Sequence, residues 1–558
     1  METTTIKEKT HKLIDSLRAT CSAYGLSGDS SEYKIIVQVF LYKYLNDKFG
    51  YEVKRAKTEY QKALSEAEHW ETVYIALSDE EREDLWDFID PESPKLNPEH
   101  LIATLYNRMN EDDFAKKFDE ALISLGQLNA DKFSVRTSGR SNVALFDAIT
   151  PSVTDVDRRD DFARALVNNL ITFNFEEVFG QKYDFFAEVF EYLISDYNKN
   201  GGGKYAEYYT PHSVATIMAR LLVDEDTEQR SKLCCDPAAG TGTLLMALAH
   251  QIGEDRCTIY SQDQSQKSTT MLRLNLILNS LVHSLPNVIQ GDSLTSWGHE
   301  EQDGSWRQFD YVVSNPPFNV DFSESVTNAA LKNTDRFFAG IPNVPAKDKN
   351  KMAIYLVFLQ HILYILKDKK GKAAVVVPTG FLTASSGIAL KIKQRIVDNG
   401  WLRGVVSMPS NIFANTGTNV SVIFIDKSLK AVDAILIDAS KLGTTVKIDK
   451  NQKTVLSPTD EQQIIDTFKA RMEVDEFSKL VSLEDIKKKK YSLSAGQYFD
   501  IKIEYVDITD EEFKTRMMLH KKMLESMFEE SHTLEHEIMV QLDNLKFDNI
   551  TNNISGNK

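Results

Sequence analysis

From about residue 233, short runs of β-branched and other apolar residues alternate with longer amphipathic stretches. This alternation predicts a doubly wound α/β sheet, in which parallel strands are covered by helices on both faces. Ligands of such sheets bind beyond the carboxyl ends of the strands, where the strand order reverses. Functional residues are therefore expected directly after the strands. The predicted strands are Leu233–Cys235, Thr258–Ser261, Asn287–Gln290, Tyr311–Ser314, Ala373–Val377, Gly404–Ser407 and Val420–Ile425.

The sequence on either side of this region is predicted to be mainly helical. An apolar face repeats along Tyr33–Phe49, Ser78–Glu81 forms a capping box, and a further helix is predicted at Phe185–Tyr197. Thr509–Glu512 forms another capping box, before apolar residues at coiled-coil spacing over Phe513–Leu545. Four parts are predicted: an N-terminal helical domain at 1–170, an α/β domain at 171–430, a mixed extension at 431–507 and a C-terminal helix at 508–558.

The net charge restricts the partners of the chain. The 558 residues include 65 Lys and Arg against 82 Asp and Glu, for a formal net charge of −17. Because Lys and Arg contacts to phosphates supply most non-specific affinity for DNA, a DNA substrate would need a partner that contributes much of the binding. The sequence has no apolar run of membrane-spanning length and no signal peptide at its start, so we expect a cytoplasmic protein.

Metal chemistry is not expected from this sequence. The four cysteines lack the spacing of metal ligands. His361 lies in an apolar helical stretch, where a packed core histidine is the usual case. The sequence also lacks the G-x-x-x-x-G-K-S/T loop of nucleotide hydrolases.

A glycine-containing loop, Asp236–Thr243, follows the first of these strands and precedes a helix. Glycine lets the backbone approach a ligand closely, although a tight turn uses glycine equally well. A dinucleotide fingerprint is disfavoured because Leu245 occupies the third glycine position. The next two strands end in Asp263 and Asp292, and such acids can bind nucleoside hydroxyl and amino groups.

The fourth strand ends in Ser314-Asn315-Pro316-Pro317-Phe318. The prolines remove backbone N–H donors and restrict the chain, so the Asn315 amide oxygen and the Pro316 carbonyl can accept both hydrogens of a planar amine. Acceptors placed in advance stabilise the positive charge that develops on the nitrogen during methylation. Phe318 can stack on a base extruded from a duplex. A proline-rich turn remains the alternative for this loop taken alone.

Together these motifs resemble those of amino-group DNA methyltransferases, whose catalytic motif is N-P-P-F/Y. Ala206–Pro211 resembles the segment that precedes the cofactor loop in the γ arrangement of that family. Because the matches extend over most of the chain, the whole chain is similar to the modification subunit of type I restriction–modification systems. Further matches are Val39–Leu45, Asp335–Phe337, Val377–Leu382, Asn411–Phe413 and Tyr491–Leu493.

The resemblance implies a class I S-adenosylmethionine-dependent methyltransferase fold, Rossmann-like, with a seven-stranded, mostly parallel sheet, an N-terminal helical domain and a C-terminal helical or coiled-coil tail. Asp263 would contact the cofactor ribose and Asp292 its adenine, although the family more often has Glu at the first position. The loop also reads Ala-Ala-Gly-Thr-Gly-Thr where a Ser-Gly-Gly ending is commoner. The implied residues for S-adenosylmethionine are Glu207, Tyr208, Tyr209, Thr210, Pro211, His212, Asp236, Ala238, Gly240, Thr241, Gly242, Thr243, Asp263 and Asp292. The implied catalytic residues are Asn315, Pro316, Pro317 and Phe318.

The implied reaction is methylation of N6 of adenine in DNA, at a target that a separate specificity (S) subunit reads. The implied partners are DNA, that specificity subunit, a second copy of the modification (M) subunit in a complex of two modification subunits with one specificity subunit, and the restriction (R) subunits that join this complex in phage defence. The seam over Phe513–Leu545 suits either a helix of the same chain or a helix of another protein, and our hypothesis is that it contacts the specificity subunit. Two other functions are compatible with the motifs: methylation of another amine, such as a protein glutamine or an RNA base, and a catalytically silent scaffold.

Overall fold

A computed structural model describes residues 6–28, 30–179, 189–193, 210–224, 230–413, 419–428, 432–448, 451–499 and 509–543. Met1–Phe499 forms one compact unit and Asp500–Lys558 another. The strands are β1 (Val135–Thr137), β2 (Asn142–Val143), β3 (Lys232–Asp236), β4 (Cys257–Asp263), β5 (Val288–Gln290), β6 (Tyr311–Ser314), β7 (Lys372–Pro378), β8 (Leu402–Ser407), β9 (Val420–Asp426), β10 (Ala434–Asp438), β11 (Thr444–Ile448), β12 (Asn451–Val455) and β13 (Ser478–Val481).

The helices lie before, between and after these strands. They are α1 (Ile6–Ala23), α2 (Ser30–Val53), α3 (Gln61–Glu66), α4 (Trp70–Ala76), α5 (Asp79–Trp86), α6 (Ile102–Asn107), α7 (Phe114–Leu128), α8 (Ala130–Phe133), α9 (Arg159–Ile171), α10 (His212–Leu222), α11 (Thr243–Ile252), α12 (Gln266–Leu278), α13 (Tyr355–Ile365), α14 (Gly380–Thr383), α15 (Gly387–Asp398), α16 (Pro458–Ala470), α17 (Leu483–Lys488) and α18 (Asp510–Asp543).

The sheet confirms the α/β prediction. All seven predicted strands are present and lie next to one another in the order β8-β9-β7-β6-β3-β4-β5. Every neighbouring pair in this set is parallel except the two that involve β9. The strand order reverses between β3 and β6, because the chain proceeds from β3 outward to β5 and then returns to β6 on the other side of β3. A ligand site is therefore expected beyond the carboxyl ends of β3 and β6.

The complete sheet is wider than the predicted seven strands. Over the described residues it has eleven strands, because β1 and β2 extend it beyond β5, and β10 and β13 extend it beyond β8. β1 and β2 come from the N-terminal region that the sequence predicted to be almost entirely helical. They are three and two residues long, respectively, which is too short for a periodicity of two to be recognised.

Both faces of the sheet are buried, which explains its nearly continuous apolar strands. Side chains alternate between two hydrophobic clusters: Cys234 and Val313 belong to one, Cys235 and Val312 to the other. The cluster on the Cys234 face includes residues of α10, α11 and α12 together with those of the N-terminal helices α1, α2, α7 and α9. The N-terminal helices thus share one hydrophobic cluster with the helices on this face of the sheet.

The predicted capping boxes are confirmed. The Ser78 side chain accepts a hydrogen bond from the Glu81 N–H, and the Glu81 carboxylate accepts one from the Ser78 N–H. Thr509 and Glu512 make the same reciprocal pair before α18. The predicted helix Phe185–Tyr197 lies outside the described residues except for 189–193. None of the helices that the structure describes is long and apolar enough to cross a membrane.

A glycine in β8 offers a test of the sheet packing. A Cβ atom at Gly404 would lie 2.5 Å from the Ile435 carbonyl oxygen and 2.8 Å from the Phe468 ring. Gly404→Ala should therefore lower the free energy of unfolding by about 1–3 kcal/mol, as overpacking does in cores. Urea denaturation measures the change. Gly496→Ala is the control, since nothing lies within 4 Å of its Cβ position, and an equal loss in both variants would contradict the described contact of β8 with β10.

Candidate active site

A cavity of about 350 Å³ lies beyond the carboxyl ends of β3, β4, β5 and β6. The loops after these four strands supply carboxylate, amide and backbone groups to its wall, and α12 and the segment after β6 supply apolar ones. Its position at the reversal of strand order is the one expected for this sheet. The lining residues are Tyr33, Pro237, Ala238, Gly240, Thr241, Asp263, Gln264, Ser265, Lys267, Ser268, Met271, Asp292, Ser293, Leu294, Asn315, Pro317, Val320, Asp321, Phe322, Ser325, Ile354 and Phe358.

The Asp236–Thr243 loop closes against α12 at the inner end of this cavity. Gly242 has φ +84° and immediately precedes α11. A Cβ atom there would lie 2.2 Å from the Leu272 side chain. Glycine is required at this position for two reasons, because the backbone is left-handed and because the helix packs against it.

The carboxylate of Asp236 joins the ends of β3 and β6. Its Oδ1 atom accepts hydrogen bonds from the Ala238 N–H (2.9 Å) and the Ser314 hydroxyl (2.8 Å). Burial raises the pKa of this carboxyl to about 7, and the two hydrogen bonds offset only part of that effect. Asp236 does not line the large cavity; with Thr210, Thr243 and Asn315 it lines a smaller one of about 10 Å³.

Asp263 and Asp292 both face the large cavity. Asp263 accepts hydrogen bonds from the Gly240 N–H (2.9 Å) and the Ser265 N–H (2.8 Å), and burial raises the pKa of its carboxyl. Asp292 accepts from the Leu294 N–H (2.8 Å) and the Thr295 hydroxyl (2.7 Å). These hydrogen bonds fix both carboxylates before any ligand binds.

The Asn315–Phe318 loop reaches the cavity through Asn315 and Pro317. Asn315 is 9% exposed, and its Nδ2 donates to the Thr210 hydroxyl at 3.2 Å. The Phe318 ring is half-buried and packs edge-on against Tyr355, with ring centroids 6.3 Å apart. Pro316 is buried.

The predicted site residues therefore fall into four groups. Seven line the large cavity, and Thr210, Asp236 and Thr243 line the small one beside it. Pro211 precedes α10, His212 begins it and Gly242 precedes α11, whereas Pro316 and Phe318 belong to the Asn315–Phe318 loop without lining either of these cavities. Glu207, Tyr208 and Tyr209 lie outside the described residues. The seven on the large cavity are Ala238, Gly240, Thr241, Asp263, Asp292, Asn315 and Pro317.

Sequence analysis missed several lining residues. Tyr33 comes from α2, far from the motifs in sequence, and is 5% exposed. On an amphipathic helix it is indistinguishable from a core residue, so no local signal could have identified it. Met271, Phe322 and Phe358 likewise follow helical or loop patterns that indicate packing only.

Residues 181–505 match the family model described as N-6 DNA Methylase. The methylase subunit of the type I restriction enzyme MpnII of Mycoplasma pneumoniae is 27% identical over 404 residues, which is 70% of each chain. The MjaVIII methylase subunit of Methanocaldococcus jannaschii is 26% identical over 508 residues, covering 88% of this chain and 79% of the relative.

A solved structure has the same fold. The methyltransferase subunit of a type I restriction-modification system from Streptococcus thermophilus superposes with a TM-score of 0.67 at 22% identity, covering 88% of this chain and 99% of that one.

The raised pKa of Asp236 predicts a pH dependence of stability. Because this pKa is about 7 in the folded chain, against an ordinary 3.8, the folded state holds the proton more tightly, and stability decreases as pH rises between these two values. Asp236→Asn removes that dependence while keeping an oxygen acceptor. Relative to Asp236→Asn, the wild type should lose on the order of 2 kcal/mol between pH 5 and pH 8. Denaturation of both proteins at the two pH values measures the difference, and a constant difference would contradict the assignment.

Proposed function

The chain belongs to the N-6 DNA methylase family, and on this premise we propose that it methylates N6 of adenine in DNA as the modification subunit of a type I restriction–modification complex. One observation carries the proposal: the Asn315 amide, oriented by Thr210, lies on the same cavity as the carboxylates of Asp263 and Asp292. The groups that we propose for binding a nucleoside and the group that we propose for binding an amine therefore line the same cavity.

The cavity suits S-adenosylmethionine. Asp263 and Asp292 end neighbouring strands, and each carboxylate oxygen already holds one hydrogen bond; carboxylate oxygens have capacity for more. Met271, Phe322 and Phe358 provide apolar surface for a purine ring. We assign Asp263 to the ribose hydroxyls and Asp292 to the adenine amine of this cofactor.

When bound, S-adenosylmethionine supplies an electrophilic methyl group. The Asn315 side-chain oxygen and the Pro316 carbonyl accept the two amine hydrogens of the target adenine. The nitrogen lone pair is then no longer conjugated with the purine ring. The same two acceptors stabilise the positive charge that develops on the nitrogen. The proton released afterwards leaves to solvent. Phe318, braced edge-on by Tyr355, offers its ring to a base that has left the duplex.

The acidic charge of the chain supports a partner for DNA recognition. With a formal net charge of −17, the chain needs cationic surface from elsewhere to hold a duplex. We assign sequence recognition and much of the phosphate contact to a specificity subunit, in a complex with two modification subunits. Restriction subunits complete the assembly that cuts unmodified DNA.

The helix α18 fits a role in that assembly. Taken by itself, it has 34 residues and none of them is buried. Phe513, Met517, Leu524 and Met527 are each about half exposed and lie on the predicted seam. A row of exposed apolar residues of this length is typical of a helix that packs against another helix.

The catalytic assignment is tested at Asn315. Asn315→Ala should lower methyl transfer about 10²–10³-fold, since one acceptor for the developing charge is lost. The Kd for S-adenosylmethionine should change by less than about threefold, because Asp263 and Asp292 remain. Tritium transfer to DNA in the assembled complex and calorimetry measure the two quantities.

The control is Asn399→Ala, whose exposed side chain caps α15 outside the cavity. Full methylation by Asn315→Ala would contradict the mechanism. A wild-type chain that binds the cofactor but methylates only RNA or protein would support the other amine substrates, and one that binds no cofactor would support the scaffold.

The role of α18 is tested by removing it. Deletion of residues 508–558 should release the specificity subunit during gel filtration, while binding of S-adenosylmethionine persists, because Met1–Phe499 is a compact unit by itself. Leu524→Gln on the seam should weaken the complex, whereas Lys522→Gln beside the seam should not. An intact complex after the deletion would show that the specificity subunit binds elsewhere.

A further inference from the structure

Arg336 is a fully buried cation in the segment that follows the Asn315–Phe318 loop. Its guanidinium donates to the carbonyl oxygens of Ser293 and Leu294, each at 2.7 Å, and its Nε donates to His361 Nδ1 at 3.2 Å. Among the described residues it forms no salt bridge. Burial lowers the pKa of this guanidinium to about 9. Burial of a charge without a carboxylate partner costs free energy, and the hydrogen bonds of the guanidinium must offset that cost.

The surroundings hold the guanidinium in one orientation. It lies over the rings of Trp306 (4.6 Å) and Phe337 (4.5 Å). His361 accepts from Arg336 at Nδ1, and burial lowers the pKa of His361, so that the imidazole is neutral. The Trp297 ring packs edge-on against His361, with centroids 4.5 Å apart. The fork of the guanidinium is thus aimed at the two carbonyls and has no freedom to turn away.

The two carbonyls belong to the loop that carries Asp292. Asp292, Ser293 and Leu294 all line the large cavity. The Leu294 N–H donates to the Asp292 carboxylate, and the Ser293 hydroxyl donates to the Pro237 carbonyl at 2.5 Å. Because Arg336 fixes the peptide groups of Ser293 and Leu294, it also fixes the Asp292 carboxylate. This carboxylate lies between the end of β5 and the Asp236–Thr243 loop.

The segment that carries Arg336 packs against residues of the cavity wall. Phe337 belongs to a hydrophobic cluster with Phe322, Phe358 and Leu294. Phe322 and Phe358 line the cavity, and Phe322 lies in the chain shortly after the catalytic loop. Arg336 therefore connects the wall formed after β6 with the wall formed after β5.

We propose that Arg336 is a positioning residue that holds the Asp292 loop in the shape that binds S-adenosylmethionine and ties it to the segment after the catalytic loop. The inference deepens the proposed function and rests on it. Arginine suits the position because its rigid fork reaches two consecutive carbonyls and a third acceptor at once, which the single ammonium of lysine does not.

The test uses the full-length chain and Arg336→Lys. We expect the Kd for S-adenosylmethionine, measured by calorimetry, to rise about 10–100-fold, because the loop loses part of its fixed geometry. Turnover at saturating cofactor should fall less than about threefold, since Arg336 contacts neither the reacting amine nor Asn315. Arg336→Gln is the second variant: it buries no charge, keeps a donor for one carbonyl, and should also bind the cofactor weakly.

Lys393→Met is the matched control. Lys393 is another fully buried cation that donates to a backbone carbonyl, that of Leu382 at 2.8 Å, beside the Phe381 ring. None of these three residues lines the cavity. A purely structural role for Arg336 predicts lower melting temperatures for Arg336→Lys and Arg336→Gln, and an unchanged Kd for S-adenosylmethionine in their folded fractions. The proposal predicts that only the Arg336 variants change the Kd.

A double-mutant cycle with Asp292→Asn identifies the route of the effect. If Arg336 acts through Asp292, the Kd of the double variant for the cofactor should exceed that of Asp292→Asn alone by no more than about threefold. Fully additive losses would overturn the proposed route. An unchanged Kd in both Arg336 variants would overturn this inference alone, whereas a wild-type chain that does not bind S-adenosylmethionine would overturn the proposed function.

Discussion

The hydrogen bond between the Ser314 hydroxyl and the Asp236 carboxylate, 2.8 Å long, is the contact on which the site depends. It joins the carboxyl ends of β6 and β3, the two strands between which the order of the sheet reverses. The same carboxylate oxygen accepts from the Ala238 N–H and so sets the course of the glycine loop. Two loops with different chemistry are therefore fixed relative to each other by one buried acid, and the high pKa of that acid reflects what its burial costs.

Further hydrogen bonds extend this connection outward in both directions. Asp263 binds the glycine loop at the Gly240 N–H, and Ser293 binds it at the Pro237 carbonyl. Thr210, before α10, accepts from the Asn315 amide. Each bond links groups far apart in sequence, so the site is rigid only when the sheet is complete. Rigid, pre-oriented acceptors are what electrostatic stabilisation of a developing charge requires.

The sequence predicted the central seven strands and seven of the residues that line the large cavity, because both depend on local patterns. The positions of Asp236, Asp263, Asp292 and Asn315 at strand ends predict where the site lies without any knowledge of packing. The edge strands β1, β2, β10 and β13 were not predicted, since their pairing depends on neighbours and not on their own pattern. Tyr33 was missed for the same reason: only the packing of α2 brings its ring to the cavity.

The two compact units of the chain carry different features: one contains the cavity, and the other contains the exposed helix α18. Every described residue that lines the cavity belongs to Met1–Phe499, whereas α18 belongs to the other unit and has no buried residue of its own. Taken by itself, a helix of 34 residues with exposed phenylalanine, methionine and leucine side chains leaves apolar area in contact with water at a cost of roughly 25 cal/mol per Å². That cost is removed only when a second surface covers the helix. Because a formal net charge of −17 also disfavours binding of DNA by the chain alone, one partner that offers both an apolar helix and a cationic surface would meet both needs, and these are the two properties that the proposed specificity subunit must combine.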